Sequence, residues 1–471
     1  MITTIQTRKL VPLLFFLLFL LPGLIAQEAR IGAGFDLGAT IEQNTVVDLS
    51  PDDGVSATNS TTLRLFWILE VGDWAINLRG SVGADFPFYP GEDISPLGIN
   101  FGLSTLSAAA TFGLDSDPTF QALNLQFGRI SVSDYLGTYL SQAMDGFSLG
   151  VTGNSAELGV YLGYTGFLFK SETNFSFTPS DSADDSNDSI VFAPPRMLLG
   201  LSGAFKNESQ SFIFGIDGIL QADLRQLISS DRLIPSGATA ASGSQDGGLY
   251  TTFALTPTFR LTFGPRVFWD TQGVLQTGTT QAKGTTYQTE AIVAGSALTR
   301  LLWFPSNAHR LLFQVQWSSG DGSYRDTYEE GATLTGAREI LYLYKAPTAP
   351  STGTIFAPKP GNLTWLTIQW SGKPFTKSPG AFGQGTSMNA GVYTFLRNTA
   401  GPISDSRASA SVANPYMGTE VTLGLNVRPF SDLGLGINGG LYLPPAFAGG
   451  AMEGNAPLVE GKISGFFSLR M

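Results

Sequence analysis

The chain contains no cysteine, which excludes disulfide bonds, metal–thiolate sites and the lipid-modified cysteine of a lipoprotein. Its single histidine, His309, falls in a predicted turn, away from any serine or carboxylate constellation that could support nucleophilic or acid–base chemistry. Walker motifs, dinucleotide-binding glycine patterns and Cys/His metal sets are also missing. We therefore expect no enzyme activity, no metal site and no cofactor.

Charged residues are scarce: they make up 14% of the chain, against about 25% in an average soluble domain. The formal net charge is −11. This acidity argues against a nucleic-acid partner, because a nucleic-acid-binding protein carries a basic face. A membrane barrel explains the scarcity of charge, since about half of its strand residues face lipid.

Long apolar runs are missing except at the start of the chain. There, Arg8 and Lys9 precede the run Leu10–Ile25, which ends in small residues and is the pattern of a secretory signal peptide. A membrane-anchor helix is the alternative, but the run is short and two prolines interrupt it. We assign residues 1–26 to a signal peptide and 27–471 to one domain. Without a later spanning helix, a membrane protein of this sequence must form a closed barrel.

The clearest strand pattern lies between Tyr416 and Leu443. Odd positions from Thr419 to Val427 are apolar or β-branched and even positions are polar or glycine, and the same phase resumes after the turn Pro429–Asp432. Side chains on a strand alternate between faces, so the pattern predicts a hairpin with one apolar and one polar face. Strands of about 12 residues are roughly twice the usual soluble length and suit a tilted membrane crossing.

The same alternation recurs along the chain and predicts a transmembrane antiparallel β-barrel of about 18 strands. Connections after odd-numbered strands are mostly long and those after even-numbered strands mostly short, as expected for external loops and periplasmic turns. Outward-facing aromatic residues form two predicted girdles, each at one end of the strands. They are Trp74, Phe205, Phe263 and Trp303 at the turn ends, and Phe253, Tyr287 and Trp317 at the loop ends.

Three local features refine this prediction. The strand Ile99–Gly113 changes phase near Ser104–Leu106, which predicts a β-bulge. A polar loop is expected from the end of the first strand, at Glu42, to Asn59. The acidic stretch Ser171–Ser189 is expected to stay solvated rather than to pack, and its spacing lacks a calcium-loop pattern.

The charged residues on the polar face are distributed unevenly along the predicted barrel axis. Acidic residues gather towards the outer mouth and basic residues towards the periplasmic end. Such an axial field would enrich cations at the mouth and sort charged solutes; alternatively, these residues only keep the lumen wet. The predicted channel-lining residues are Arg64, Arg79, Asp85, Asp217, Arg260, Arg266, Asp270, Glu290, Arg300, Arg310, Glu420 and Arg428.

The loop Ser131–Gly146 differs from the other predicted loops, which are polar and rich in glycine and serine. It carries tyrosines and leucines, and apolar side chains on a loop need cover. Folding into the lumen would supply that cover, and packing over the barrel rim is the alternative. We predict a constriction loop in which Tyr135, Tyr139 and Asp145 are the candidate site residues.

Two short motifs resemble known barrel families. The strand end Leu125–Arg129, followed after a loop by Asp145-Gly146, resembles the glycine–arginine strand end of substrate-specific porins and alginate-export barrels. Gly418-Thr419-Glu420 is similar to the penultimate hairpin of the alginate-export family. Together the motifs cover about a tenth of the chain. The resemblance implies an outer-membrane channel, but the acidic balance departs from the arginine-dominated channel of the alginate-export family.

We therefore expect a porin-like channel for passive diffusion of small hydrophilic or charged solutes, in the outer membrane of a diderm bacterium. The expected partners are outer-membrane lipids, these solutes and the barrel-assembly machinery, because the last strand has the alternation of an assembly signal. A non-transporting surface barrel, either an adhesin or a structural protein, is the main alternative, since several predicted loops are large. A transporter of hydrophobic molecules would need an N-terminal plug, for which few residues are available. The solute and the oligomeric state stay open.

Overall fold

The computed structural model describes residues 33–50, 54–71, 74–88, 98–114, 120–170, 173, 181, 187, 189–225, 250–283, 287–322, 340–348, 352–376, 384–405, 407–409, 412–445, 452 and 459–470. The predicted signal peptide, residues 1–26, lies outside the described residues. Within them, no helix is long and apolar enough to cross a membrane.

The described chain contains nineteen strands, of which β14 has only two residues and the other eighteen form the wall of a barrel. The strands are β1 (Ala33–Ser50), β2 (Gly54–Val71), β3 (Trp74–Phe88), β4 (Gly98–Gly113), β5 (Phe120–Ser133), β6 (Ser141–Gly153), β7 (Ala156–Tyr164), β8 (Arg196–Lys206), β9 (Phe212–Asp223), β10 (Tyr250–Phe263), β11 (Val267–Lys283), β12 (Tyr287–Ser306), β13 (His309–Ser318), β14 (Ile340–Leu341), β15 (Leu363–Gly372), β16 (Thr386–Arg397), β17 (Tyr416–Val427), β18 (Leu433–Leu443) and β19 (Glu460–Arg470).

Each wall strand pairs antiparallel with the next one, and β19 pairs with β1, which closes the sheet. β13 pairs with β15, and β14 runs parallel to β12 beyond the end of β13. A closed sheet has no unpaired edge, so its backbone groups are satisfied without water. The predicted transmembrane antiparallel barrel of about 18 strands is confirmed.

The two faces of the wall are inverted relative to a soluble protein. Along β10, Phe253 and Phe259 are exposed, whereas Thr252, Thr256 and Thr258 are buried. An apolar outer face and a polar inner face are what a barrel in lipid requires. The five girdle aromatics whose side chains are described are all exposed on the outer face: Phe205, Phe253, Phe263, Trp303 and Trp317.

Two detailed predictions are confirmed. The hairpin between Tyr416 and Leu443 forms β17 and β18, the sixteenth and seventeenth strands of the wall. The bulge in β4 lies at Ser104, since Arg79 pairs with Thr105 and Gly80 pairs with Leu103, which leaves Ser104 without a partner residue in the ladder. The change of phase in the sequence is therefore a change of register in the sheet.

Two predicted loops are wrong in extent. No long polar loop follows Glu42, because β1 and β2 stay paired up to Ser50 and Gly54. Threonine and valine are frequent in this stretch, and such β-branched residues favour strands even where the face is polar. The loop Ser131–Gly146 is reduced to residues 134–140, because β5 and β6 pair up to Ser133 and Ser141.

Two clusters of buried apolar residues fill parts of the barrel interior. The first inner cluster joins inward-facing residues of β5–β12 to residues 139–140 and 341–346, and the second joins β15–β18 to segments near residues 356, 403 and 452. The second cluster contains Phe356, Leu363, Trp365, Phe395, Ile403, Ala408, Met417, Tyr442 and Met452. Chain segments thus occupy space inside the wall.

Candidate channel constriction

The inner loop, residues 134–140, is a compact turn organised around one carboxylate. Asp134 accepts hydrogen bonds from the backbone N–H groups of Thr138 at 3.3 Å, Tyr139 at 2.9 Å and Leu140 at 2.6 Å. Gly137 has a φ of 68°, a conformation that costs other residues energy. The loop closes on its own side chain and so keeps a defined shape.

The inner loop projects into the barrel rather than over its rim. Tyr139 and Leu140 are completely buried and belong to the first inner cluster, together with Ile219 of β9 and Val274 of β11. Burial raises the pKa of the Tyr139 hydroxyl to about 12, so it stays protonated at neutral pH. The contact partners lie three or more strands away around the wall, and the loop therefore crosses part of the lumen.

Hydrogen bonds attach the inner loop to the wall at several heights. The backbone N–H of Tyr135 donates to Asp217 of β9 at 3.1 Å. On β11, Gln272 donates to Asp134 at 2.8 Å and Gln276 donates to the Tyr139 hydroxyl at 3.2 Å. Buried hydrogen bonds of this kind fix the position of the groups that make them.

A second chain segment, residues 344–348, packs against the inner loop. Gln276 donates to the carbonyl oxygen of Lys345 at 2.9 Å and accepts from its backbone N–H at 3.3 Å. The hydroxyl of Thr348 accepts a hydrogen bond from the backbone N–H of Ser141 at 2.5 Å. The backbone N–H of Thr348 donates to the carbonyl oxygen of Tyr139 at 3.3 Å. One glutamine side chain therefore connects the wall, the inner loop and the second segment.

A cluster of two cations and one anion lies beside the inner loop. Asp270 of β11 is completely buried between Arg260 of β10 and Arg300 of β12, its direct cross-strand neighbours, at 2.6 Å from each. The guanidinium carbon of Arg260 also lies 5.7 Å from the ring centroid of Tyr135, within the range of a cation–π contact. The cluster has one positive charge in excess and both guanidinium groups are partly exposed.

Glu420 holds a further internal segment, residues 352–358. Its carboxylate is fully buried and accepts the backbone N–H groups of Thr354 at 2.7 Å, Ile355 at 3.0 Å and Phe356 at 3.0 Å. The ring of Phe356 stacks on Tyr442 with centroids 4.8 Å apart. The charge of Glu420 is therefore engaged by three backbone donors and does not face an open channel.

The remaining predicted site residues are dispersed. Arg64, Arg310 and Arg428 are exposed, on β2, on β13 and directly after β17. Glu290 is buried on β12. Arg266 lies in the turn between β10 and β11 and donates to the carbonyl oxygen of Pro305 at 3.2 Å, and its role as a lining residue stays a prediction. Arg79 and Asp85 belong to β3, where the described part is the backbone.

Asp145 is not part of the inner loop. It lies within β6 and forms a salt bridge with Arg129 of β5 at 3.0 Å. The adjacent pair Ile130 and Met144 belongs to the first inner cluster. The carbonyl oxygen of Phe167 also accepts a hydrogen bond from Arg129 at 3.0 Å, so the glycine–arginine motif connects β5, β6 and the segment after β7.

Sequence reasoning missed a buried ion network near the loop end of β8 and β9. Arg196 contacts Asp181 at 2.6 Å and Asp223 at 3.7 Å, and Arg225 contacts the same two carboxylates at 3.1 and 2.6 Å. The expectation that the whole stretch Ser171–Ser189 stays solvated is therefore wrong at Asp181. The available signal in the sequence was Arg196 at the start of β8 and Arg225 just after β9, because a buried acid requires a cation nearby.

Sequence reasoning also missed three residues that position the inner loop: Asp134, Gln272 and Gln276. The glycine three residues after Asp134 is a turn signal. The glutamines lie on the inner face of β11, but nothing local in the sequence says what they bind. Across the described ranges, no group of three or more histidine and acidic side chains is placed to bind a metal ion.

Comparison with known proteins gives a likeness in structure without one in sequence. No protein-family description matches the chain, and no curated protein matches it in sequence. Acinetobacter baumannii OccAB1 is similar in structure, with a TM-score of 0.53 and 9% identity, over 94% of this chain and 99% of that chain. Pseudomonas aeruginosa OccK8 (OprE) has a TM-score of 0.52 and 9% identity, over 93% and 98% of the two chains.

A closed 18-stranded barrel with an apolar outer face and inserted internal segments is a transmembrane β-barrel of the porin type. Its fold is that of the OprD/Occ outer-membrane porins, as the likeness to A. baumannii OccAB2 also shows, with a TM-score of 0.51 and 10% identity over 93% of this chain and 98% of that chain. The predicted resemblance to substrate-specific porins is confirmed at the level of fold.

Proposed function

We propose that the protein is an outer-membrane channel for passive diffusion of small hydrophilic or charged solutes. The observation that carries this proposal is the inner loop, which crosses part of a barrel wide enough to hold an aqueous lumen and is hydrogen-bonded to β9 and β11. A wall lined by buried threonine, glutamine and arginine side chains is suited to water and polar solutes.

The inner loop and the Arg260–Asp270–Arg300 cluster together form the proposed constriction. A solute passing the inner loop meets two partly exposed guanidinium groups that share one carboxylate. The excess positive charge favours solutes with a carboxylate or another anionic group at this point. Solute size would be restricted by the loop, and solute charge would be sorted by the cluster.

The proposal includes export and assembly. Residues 1–26 would be removed as a signal peptide, and residues 27–471 would be inserted into the outer membrane by the barrel-assembly machinery. The closing strand β19 supports this, because it pairs with both β18 and β1 and so completes the wall.

Planar-bilayer recording of the purified protein tests the proposal. We expect a stable open channel, and replacing residues 135–139 by two glycines should raise its conductance, because the polypeptide that crosses the lumen is removed. A matched change, shortening the turn 207–211 between β8 and β9, alters a connection at the opposite end and should leave conductance unchanged.

Two results would count against this reading. A correctly folded barrel without conductance would favour a non-transporting surface protein. An open channel whose conductance is the same after the inner loop is shortened would place the constriction elsewhere.

A further inference from the structure

A cleft of about 540 Å³ lies at the turn end of the barrel, between three neighbouring connections. The first is the turn between β10 and β11, the second joins β12 to β13, and the third follows β15. These strands are consecutive in the wall, so the connections lie side by side. We call this space the rim cleft, and its described lining is Arg266, Ser306, Asn307, Ala308, Lys373 and Thr376.

The backbone holds the two basic residues on opposite sides of the middle connection. The carbonyl oxygen of Arg266 accepts the N–H of Phe304 at 2.8 Å, which continues the pairing of β11 with β12. The N–H of Lys373 donates to the carbonyl oxygen of Ala308 at 2.9 Å, which continues the pairing of β13 with β15. Residues 306–308 therefore lie between an arginine and a lysine.

The two cations of the rim cleft are not neutralised by the described part of the chain. Both side chains are exposed, and neither forms a salt bridge with a described residue. The guanidinium of Arg266 donates from Nη1 to the carbonyl oxygen of Pro305 at 3.2 Å, and no described residue engages its other donors. The described lining contains no aspartate or glutamate. Two positive charges beside one cleft repel each other, so an anion between them is stabilised.

Neutral donors in the rim cleft narrow the kind of anion. The Oγ of Ser306 accepts the backbone N–H of Ala308 at 3.3 Å, which leaves its own proton available to a ligand. The side chains of Asn307 and Thr376 are exposed and have no hydrogen bond to a described residue. Hydroxyl and amide donors together with two cations match the several acceptor oxygens of a phosphate group. A carboxylate has two oxygens and one charge, and so uses fewer of these donors.

Exposed aromatic side chains surround the rim cleft. Phe263 and Trp303 are exposed near the turn ends of β10 and β12, and Phe375 is exposed in the third connection. Aromatic side chains at the ends of the strands mark the membrane–water interface of a barrel. The phosphate groups of lipids lie at the same height, and soluble phosphate compounds reach it from the aqueous phase.

We propose that the rim cleft is a binding site for a phosphate group. Arg266 binds two phosphate oxygens through its planar donors, and Lys373 supplies a point charge on the opposite side. The phosphate belongs either to the headgroup of an anionic phospholipid or to a soluble phosphate compound, because the chemistry of recognition is shared. The site lies outside the proposed constriction and does not depend on whether the barrel conducts solutes.

Two probes distinguish the sources of the phosphate group. Isothermal titration calorimetry of the folded barrel in a neutral detergent measures the binding of inorganic phosphate, with sodium acetate as the carboxylate comparison. Native mass spectrometry of the same protein counts retained phosphatidylglycerol, with zwitterionic phosphatidylcholine as the comparison. We expect binding of phosphate over acetate, retention of phosphatidylglycerol over phosphatidylcholine, or both.

Substitutions of the two cations test the site. Arg266→Gln and Lys373→Gln each remove one charge, and each should weaken binding roughly tenfold, the effect of one lost charge-assisted hydrogen bond. Arg266→Lys keeps the charge without the planar donors and should fall between the wild type and Arg266→Gln. Lys206→Gln is the matched control at the turn end of β8, where Lys206 pairs with Glu157 instead of facing the rim cleft.

The outcomes separate this inference from the channel function. Loss of phosphate binding in both Gln variants identifies a soluble ligand, loss of phosphatidylglycerol retention identifies a lipid, and either result supports the site. Equal binding of both probes by the wild type and these variants, or an equal loss in Lys206→Gln, overturns it. An open channel that binds neither probe overturns the rim cleft alone. A folded barrel that binds a probe without conducting overturns the channel function alone.

Discussion

At the constriction, a single carboxylate, Asp270, lies between the guanidinium groups of Arg260 and Arg300. Two cations on the strands either side of β11 repel each other, and the carboxylate between them offsets that repulsion. The arrangement keeps both guanidinium groups in place with one positive charge in excess. The residue that controls the local charge is thus the acid, although in the proposed constriction the basic residues are the ones that a solute would contact.

Asp270→Asn should make the channel more selective for anions. The change removes one negative charge and leaves both arginines, so the preference for chloride over potassium should rise roughly twofold or more. The reversal potential under a salt gradient measures this preference. Asp405→Asn is a matched control, because Asp405 pairs with Arg407 in the segment between β16 and β17. A shift of equal size in both variants would contradict a local role for Asp270.

The inner loop shows how one element can be both short and well defined. Its seven residues form three hydrogen bonds to the carboxylate of Asp134 and others to β9 and β11. An unsupported loop of this size would sample many conformations in water. The hydrogen bonds to the wall and the burial of Tyr139 and Leu140 offset that entropy.

Asp134→Ala should loosen the inner loop. Three backbone N–H groups would lose their acceptor, at a cost of about 3 kcal/mol, because buried donors without a partner are unfavourable. We expect larger fluctuations of the open-channel current and a higher mean conductance. Asp134→Asn keeps one oxygen acceptor and should behave closer to the wild type. Identical current noise in both variants and the wild type would show that this carboxylate does not hold the loop.

At the scale of the whole molecule, internal pairing alters the predicted axial field. Glu420 is bound by backbone donors, and Asp181 and Asp223 are paired with two arginines. Much of the acidic charge expected at the loop end is therefore neutralised. The basic residues Arg310 and Arg428 at the turn end are exposed, and in the proposed axial field their charge would be less compensated.

Neutralising Arg300, Arg310 and Arg428 together, each to Gln, should shift ion selectivity towards cations. The three side chains contribute positive charge at the turn end, and reversal potentials under a salt gradient measure the effect. A matched triple change to Gln at the loop end, at Lys170, Lys359 and Arg407, removes the same charge elsewhere and should have a smaller effect. An unchanged reversal potential in the first variant would argue against an axial field.

Much of the wall was predictable because it depends on a local rule. Side chains alternate between the two faces of a strand, so runs such as Tyr416–Leu443 reveal strand, face and turn from neighbouring residues alone. The bulge at Ser104 followed from the same rule, since an extra residue shifts the phase. The loop-side ends of strands β1 and β2 were missed because polar residues there weaken the alternation of polar and apolar side chains.

The candidate site was less predictable because its contacts join distant parts of the chain. Tyr135 and Tyr139 stood out as apolar residues in need of cover. Their partners could not be read from the sequence: Gln272 and Asp134 are 138 residues apart. Asp145 was misplaced because the end of the loop depends on pairing between β5 and β6, which the loop composition obscured.

The sequence by itself determined a barrel: an apolar outer face, a polar inner face and about 18 crossings, all written in alternation with a period of two residues. The tertiary structure decided what lies inside that barrel. Folding of the inner loop into the barrel brings Asp134, Gln272 and Gln276 together, and the register of β10, β11 and β12 places Asp270 between two arginines. The physical reason is that strand patterns are local, whereas burial and charge pairing inside a lumen depend on residues that meet across it.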